Sequence, residues 1–280
     1  MNAPSPVAMK KTMAKARHMT TLPETVMRII DLVNDADRSV SALVAEVTSD
    51  PVLTGRLLKV VNSPFYGCAY EVTSIQRALA MLGPVATKNI AIAVSLEPMF
   101  RGPELLPGFA VDVLWRHCRA VGIAAKVTAD RIKHPSDEAY LAGLLHDIGL
   151  VAELQADRKG LGQALRAKQQ VESVSLEELE WKQWKVNHPA VGAELCRRWK
   201  LHPRIEHAVA FHHRPLEAPE SSVPLACLVH LGDAIASRVV PDAYETVADE
   251  IDPRVLEVLQ LNPDSYAALE EELTEHLTGE

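Results

Sequence analysis

The stretch Leu144-Leu145-His146-Asp147-Ile148-Gly149 sets a histidine and an aspartate side by side in an apolar run that predicts a buried helix. Burying an imidazole or a carboxylate is unfavourable by several kcal/mol unless the group finds a partner. Successive side chains on a helix point roughly 100° apart, so the two groups need separate partners. Either a hydrogen-bond network or a metal ion would supply them, and the pair taken alone favours the network.

The composition is that of an ordinary globular protein. The chain has 280 residues, of which 48% are hydrophobic and 24% are charged, enough for a large core in one or two domains. The formal net charge of -8 argues against a dedicated nucleic-acid-binding protein, which usually carries a basic surface. Aromatic residues make up 5% of the chain, so stacking platforms for single-stranded nucleic acid are not expected.

The sequence carries no pattern typical of export or membrane insertion. No apolar run reaches the roughly 20 residues of a membrane span, and the segment from Met9 to Arg17 is basic where a signal peptide would be apolar. The four cysteines lie far apart without CxxC spacing, which is not the pattern of a disulfide framework or a cysteine-rich zinc site. We therefore expect a cytoplasmic protein without membrane contact. The cysteines are Cys68, Cys118, Cys196 and Cys227.

Helix signals run along the chain. Ser39 and Ser74 stand where N-caps precede apolar stripes of helical spacing. Hairpin turns of the Asn-Gly type and runs of strands are missing, so we predict an all-α fold. The Pro/Gly-rich stretch 101–108 predicts a boundary. The expected organisation is a flexible basic segment over 1–20, an N-terminal helical subdomain over 21–100, a second helical subdomain over 101–250, and amphipathic helices over 251–280.

Seven histidines and aspartates stand next to apolar residues on successive predicted helices of the second subdomain. Helical bundles build metal sites from such side chains, projected inward by separate helices. Imidazole suits Fe, Zn, Cu or Ni, whereas carboxylates favour Mg or Mn. The structural alternative is a core network at His146 and Asp147, with His188, His212 and His213 at water-exposed helix ends. The seven residues are His117, His146, Asp147, His188, His212, His213 and Asp233.

The order of these residues resembles a known signature, the H…HD…D pattern of the HD phosphohydrolase superfamily. The three later histidines resemble the additional ligands of its HD-GYP branch, which hydrolyses cyclic di-GMP. The resemblance implies that Asp147 bridges two metal ions. The implied ligands are His117, His146, Asp147 and Asp233 for one metal, and His188, His212 and His213 for the other.

Motifs in both halves of the chain, over about residues 20–240, carry a narrower resemblance. They are Leu22-Pro23, Asp50-Pro51-Val52-Leu53, Arg56-Leu57-Leu58, Asn62-Ser63-Pro64, Ala78-x-x-x-Leu82-Gly83, Gly143 to Gly149, His188-Pro189-x-x-Gly192, Trp199 and His212-His213. This set is similar to the HDOD domain, the HD-related output domain of bacterial signalling proteins. The resemblance implies an all-helical fold, with an N-terminal bundle of about five short helices packed on an HD-type helical core. Members usually act as regulatory modules, and many lack a full ligand set.

Two positions depart from the hydrolytic branch. HD-GYP proteins carry a lysine shortly after the His-Asp pair, where this chain has Leu150. They also carry Gly-Tyr-Pro, whereas this chain reads Arg214-Pro215-Leu216 after the histidine doublet. A lysine would meet a phosphate or a leaving group as a point charge, which leucine cannot do. The metal ligands are thus retained while part of the substrate-handling apparatus is absent, and we expect one or two divalent ions drawn from Fe, Mn, Zn and Mg.

The first functional hypothesis is a bacterial signal-transduction output module that acts through protein contacts and keeps an HD-type metal site. The alternative is a metal-dependent phosphohydrolase acting on a nucleotide or cyclic dinucleotide, which would also be the candidate ligand. Signalling proteins are the expected partners, and neither a membrane nor nucleic acid is expected.

Two further residues are candidates for supporting the centre. His230 shares a helix face with Asp233 and is a candidate to orient it, with a buried polar pair as the alternative. Arg214, beside the histidine doublet, is a candidate for contacting a phosphate.

Overall fold

The protein is helical throughout the part that the structure describes. The computed structural model describes residues 4–16, 21–35, 37, 39–63, 66, 68, 70–102, 105, 109–171, 174–239 and 251–278. These residues contain no β-strand, which confirms the all-α prediction. The helices are α1 Pro6–Lys15, α2 Glu24–Asn34, α3 Val40–Thr48, α4 Pro51–Val61, α5 Ile75–Leu96, α6 Val111–Arg131, α7 Ser136–Leu145, α8 Ile148–Ala156, α9 Arg158–Gln170, α10 Leu176–Trp184, α11 His188–Arg198, α12 Pro203–Phe211, α13 Val223–Val239, α14 Pro253–Val258 and α15 Pro263–Thr278.

The chain divides into two compact units. The smaller unit is Thr21–Met99 and contains α2 to α5. The larger unit combines Met1–Thr20 with Phe100–Glu280 and contains α1 and α6 to α15. Of the Pro/Gly-rich stretch predicted as a boundary, residues 103, 104 and 106–108 lie outside the described part of the chain.

The smaller unit contains five helical segments, because α5 is kinked. Gly83 has φ 80° and ψ 171°, a conformation that favours glycine, and Pro84 follows it. The sequence predicts one helix ending at Gly83 and another beginning near Val85, and the two segments are joined at the kink without a loop. The Thr87 hydroxyl donates to the Gly83 carbonyl oxygen over 2.8 Å, which provides this carbonyl with a partner inside the kink.

The basic N-terminal segment contains a helix, α1, which packs against α8. Met13 and Ala16 are buried, and the Ser5 N–H donates to the Lys185 carbonyl oxygen over 3.1 Å. Residues 4–16 of the segment that the sequence predicts to be flexible thus make specific packing contacts.

Close backbone contacts position the helices that carry the polar residues of interest. A Cβ on Gly143 of α7 would lie only 2.8 Å from the Cα of Gly122 on α6, so these two helices touch backbone to backbone. The α13 helix also packs on α6. Because α6 carries His117 and α13 carries Asp233, this packing brings both residues close to the end of α7.

A second close contact joins the beginnings of α8 and α11. A Cβ on Gly149 would lie 2.0 Å from the His188 carbonyl oxygen, far inside the van der Waals limit. Only a glycine at this position lets the two helix starts approach so closely. Asp147, two residues earlier, is thereby held next to His188.

Two helical stretches, Ile75–Phe100 and Glu220–Val239, are long and apolar enough to cross a membrane by length and composition alone. Neither stretch was expected from the sequence. Their most apolar windows are 61% and 67% buried inside the protein, as in the core helices of a soluble protein. Their length and composition are therefore only weak evidence that either stretch crosses a membrane.

The contact at Gly149 predicts a large difference between two otherwise similar substitutions. Gly149→Ala should lower the free energy of unfolding by about 1–3 kcal/mol or more, since the added methyl group forces α8 and α11 apart. Gly55→Ala, on an exposed face of α4 with nothing within 4 Å, should raise it by roughly 0.4–1 kcal/mol. Urea unfolding followed by circular dichroism measures both. Equal free energies for the two variants would contradict the proposed packing.

Candidate metal centre

The His-Asp pair lies at a break between two helices. The sequence predicts the pair inside one helix, but α7 ends at Leu145 and α8 begins at Ile148. His146 keeps helical angles, whereas Asp147 has φ -107° and ψ 15°. Asp147 occupies the N-cap position of α8, yet its side chain accepts no hydrogen bond from the first turn of that helix. The break thus directs the carboxylate away from its own helix.

The break places Asp147 among the other six predicted residues. His117 comes from α6 and Asp233 from α13. His188 begins α11, and His212 and His213 directly follow α12. All of the seven except His213 are at most 5% exposed. The structure therefore brings together every residue that the sequence predicts as a ligand.

One group of side chains lies on the α6 and α13 side of Asp147. Ligand-type atoms of His117, His146 and Asp147 all lie within 4.8 Å of one another. His146 Nε2 is 3.0 Å from Asp147 Oδ2, and His117 Nε2 is 3.0 Å from Asp233 Oδ1. His146 Nε2 is also 3.8 Å from Asp233 Oδ1. Ligands bound about 2.0–2.2 Å from one ion lie at comparable separations from each other.

The second group contains the three later histidines. His188, His212 and His213 also offer ligand-type atoms within 4.8 Å of one another, and the Nε2 atoms of His188 and His213 are 3.0 Å apart. Asp147 Oδ1 faces this group, at 3.4 Å from His188 Nε2 and 3.6 Å from His212 Nε2. The two oxygens of one carboxylate therefore face two separate groups, and each group offers enough ligand-type atoms to hold one cation.

Two of the rings direct an unused nitrogen into the centre. His146 Nδ1 is 2.7 Å from the Gly143 carbonyl oxygen, and His212 Nδ1 is 2.7 Å from that of Val209. A carbonyl oxygen can only accept, so Nδ1 carries the proton and the neutral ring has its lone pair at Nε2. Neither Nε2 has a correctly aligned hydrogen-bond partner among the described residues. Metal-binding histidines are typically anchored in this way, so the residues present fit a cation.

The comparison with known families agrees with this geometry. The family model of the HDOD domain matches residues 19–215, well over half of the chain. The chain belongs to the HDOD domain family.

Several proteins resemble this HDOD protein over long stretches of sequence or of structure. An uncharacterized protein of Treponema pallidum (strain Nichols) is 27% identical over 212 residues, which are 74% of this chain and 40% of that protein. The chain thus spans less than half the length of this curated relative. A candidate phosphohydrolase from Shewanella amazonensis SB2B has a TM-score of 0.73 at 23% identity, covering 96% of this chain and 95% of its own. A candidate signal transduction protein from Marinobacter aquaeolei VT8 has a TM-score of 0.76 at 22% identity, covering 97% of this chain and 63% of its own.

The charge states of the HDOD centre favour cation binding. Burial alone raises the pKa of the Asp147 carboxyl, but His146, His188 and His212 together lower that pKa well below its usual range. For Asp233, likewise, burial raises the pKa, but His117 and His146 lower it by more, so that the pKa lies below its usual range. Burial and the neighbouring His213 lower the pKa of His212 well below its usual range. The centre therefore offers ionised carboxylates together with a neutral imidazole.

His188 is held by Glu180, a buried carboxylate that was not predicted from the sequence. One oxygen of Glu180 accepts from both the backbone N–H and the Nδ1–H of His188, over 2.9 and 2.8 Å. A carboxylate on Nδ1 fixes the tautomer and directs the Nε2 lone pair toward the centre. A signal was present, because Glu180 lies four residues after buried Leu176 and hence on the same face of α10.

A second missed residue, Glu153, lies behind Glu180. Glu153 is 2% exposed and comes from the apolar α8. Burial, followed by the charge of Glu180 within hydrogen-bonding reach, raises the pKa of the Glu153 carboxyl well above its usual range. The raised pKa favours the protonated form of Glu153 beside Glu180. The signal that pointed to the His-Asp pair, a polar residue in an apolar run, also applied to Glu153.

The two predicted supporting residues have different surroundings. His230 Nδ1 lies 2.8 Å from the His212 carbonyl oxygen, so His230 supports the backbone of His212 and this nitrogen is not used on Asp233. Arg214 lies between two carboxylates, 3.6 Å from both Glu177 and Glu217. The positive charge of Arg214 therefore already faces two carboxylates of the protein itself.

The raised pKa of Glu153 predicts a pH-dependent effect of Glu153→Gln. Above the usual glutamate pKa of about 4.3, the unfolded chain releases a proton that the folded chain keeps, so this residue favours unfolding increasingly as pH rises. Glutamine keeps a donor toward Glu180 without this penalty. In EDTA-treated protein, we expect Glu153→Gln to raise the thermal midpoint at pH 8 by at least about 2 °C, and by less at pH 5.

The control for this experiment is Glu178→Gln, the same change at an exposed position of α10. Its effect on the thermal midpoint should not depend on pH in this range. A Glu153→Gln effect that is equal at pH 5 and pH 8 would show that Glu153 is ionised in the folded protein.

Proposed function

We propose that this HDOD protein is a cytoplasmic regulatory module of bacterial signal transduction, whose buried centre holds one or two divalent metal ions. The first group of ligands would be His117, His146, Asp147 and Asp233. The second would be His188, His212 and His213, with Asp147 shared between the two. The signal would pass through contacts with a partner protein, and not through turnover of a substrate.

The observation that carries this proposal is that two buried Nε2 atoms, of His146 and His212, face the Asp147 carboxylate without a well-aligned hydrogen bond. His146 and His212 are fully buried, and each ring is fixed through its Nδ1. Leaving such polar groups without partners in the interior is costly. A cation would supply the partner, and its binding would contribute to the stability of the folded chain.

The donor set favours a first-row transition metal over magnesium. Five imidazoles and two carboxylates line the centre. Imidazole suits Fe, Zn and related ions, whereas Mg prefers oxygen ligands and retains water. Fe, Mn and Zn are therefore the preferred ions, and Mg fits less well.

Two features favour binding without turnover. Leu150, where hydrolytic relatives place a lysine, is fully buried in the core. Arg214, the nearest predicted phosphate-binding residue, is opposed by Glu177 and Glu217. The centre thus lacks the positive side chain at Leu150 that would meet a phosphate as a point charge.

The cysteines support the proposed compartment. All four are free, and three of them are buried. Burial raises the pKa of the Cys227 thiol to about 12, so this thiol is unreactive at neutral pH. A chain with free thiols and no disulfide suits a reducing compartment.

A metal-dependent phosphohydrolase acting on a nucleotide or cyclic dinucleotide is the second candidate. The specific observation in its favour is Asp147, whose two oxygens face different groups as a bridging carboxylate does in two-metal sites. Metal ions in such sites lower the pKa of a bound water and polarise a phosphoryl oxygen. The chain itself would contribute the ligands and the exclusion of bulk water.

Metal analysis tests the proposed centre. Protein purified with and without oxygen should contain about one or two divalent ions per chain. His146→Ala and Asp147→Ala should each remove most of this metal, whereas His202→Ala, at an exposed histidine, should retain it. Glu180→Gln should retain the fold and weaken metal affinity about 10–100-fold, because His188 loses its carboxylate anchor. Lack of stoichiometric metal under both purification conditions would refute the centre.

Turnover distinguishes the two candidate functions. With Mn or Fe supplied, we expect the metal-loaded protein to leave cyclic di-GMP and a panel of phosphoesters unchanged. Product release that saturates with substrate and disappears in Asp147→Ala would instead establish the phosphohydrolase. The matched His202→Ala protein excludes a contaminating enzyme, because a contaminant would remain in both variants.

A further inference from the structure

The larger unit contains a cavity that lies outside the candidate metal centre. It has a volume of about 350 Å³ and is bounded by α1, the end of α8 and the end of α10. This size is within the range of small-molecule sites. None of the seven ligand candidates lines it. The cavity therefore needs its own explanation.

Three lysines give this cavity a positive lining. Lys11 and Lys15 come from α1, and Lys185 comes from the residue after α10. None of the three forms an ion pair with a described residue. The acidic Asp157 also lines the cavity, but its oxygens already accept from the Gly160 N–H and the Trp184 Nε1–H. The lysine charges are therefore available to a ligand.

Glu153 adds a buried polar group to the same cavity. Its side chain is 2% exposed, and neither carboxyl oxygen accepts a hydrogen bond from the described residues. Burial raises the pKa of this carboxyl, which favours its uncharged form opposite the lysines. A ligand hydrogen bond would satisfy an oxygen that is otherwise without a donor.

The rest of the lining is partly apolar. Trp184 is half-buried, and Ala8 of α1 and Ala156 of α8 also line the cavity. Val7, also in the lining, is 79% exposed, which is unusual for a large apolar side chain. A ligand with an apolar part would cover these side chains.

We propose that this cavity binds a small organic anion, with its phosphate or carboxylate group on Lys11, Lys15 and Lys185 and its apolar part against Trp184. The site is independent of the proposed metal centre, because none of its residues is a ligand candidate. Phosphate esters and carboxylates share the chemistry that the lysines recognise, and two probes separate them.

The probes are adenosine monophosphate and benzoate, titrated into the purified full-length protein by calorimetry. We expect saturable binding of at least one probe with a dissociation constant below about 1 mM. Lys11→Ala combined with Lys15→Ala should weaken it at least about tenfold, since two charged partners are lost. Lys10→Ala, on the same helix but outside this cavity, should leave the affinity unchanged. Tighter binding of one probe identifies which anionic group the site prefers.

Three results would overturn the proposal. The first is the absence of saturable binding for both probes. The second is equal affinity in the double lysine variant and the Lys10→Ala control. The third is loss of binding in His146→Ala with the fold intact by circular dichroism, which would place the anion at the metal centre. A protein that lacks metal but binds the probe would refute the proposed centre and support this site.

Discussion

The rest of the larger unit depends on the contacts that the buried Asp147 carboxylate makes with three histidines. Its Oδ2 faces His146 at 3.0 Å, and its Oδ1 faces His188 at 3.4 Å and His212 at 3.6 Å. These partners come from different helices, so one buried side chain connects elements that are distant in sequence. This is achieved because α7 stops before Asp147 and because Gly149 allows α8 to begin against α11.

The polar residues of the centre could be found from sequence, but the break that positions them could not. Most of the seven stand beside apolar residues, and their order resembles a known signature. The break involves one residue with non-helical angles, Asp147, flanked by His146 in helical geometry and by the apolar Ile148. Although aspartate is a common N-cap residue, neither a proline nor a capping box marks this break, so the apolar run favours a continuous helix there. Tertiary contacts at Gly149 decide the geometry instead.

Contacts between segments distant in sequence explain why Glu180 was not predicted. Glu180 stands in a helix whose composition is acidic, and acidic residues on a helix are usually solvated. Its burial depends on the start of α11 lying beside it, which composition does not reveal. The smaller unit shows the opposite case, since the kink of α5 follows directly from adjacent Gly83 and Pro84. Features fixed by local stereochemistry were predicted, whereas features fixed by packing between helices were not.

The exposure of the centre indicates how its state would reach the surface under the proposed regulatory function. Six of the seven residues are nearly inaccessible in the described structure, and only His213 is partly exposed. The neighbouring His212 carbonyl is held by His230, itself partly exposed. A cation on His212 and His213 would therefore stiffen the chain segment after α12, because both rings and the backbone between them would be fixed at once. A partner that contacts this segment would meet a surface whose rigidity depends on metal occupancy, without any reaction at the centre.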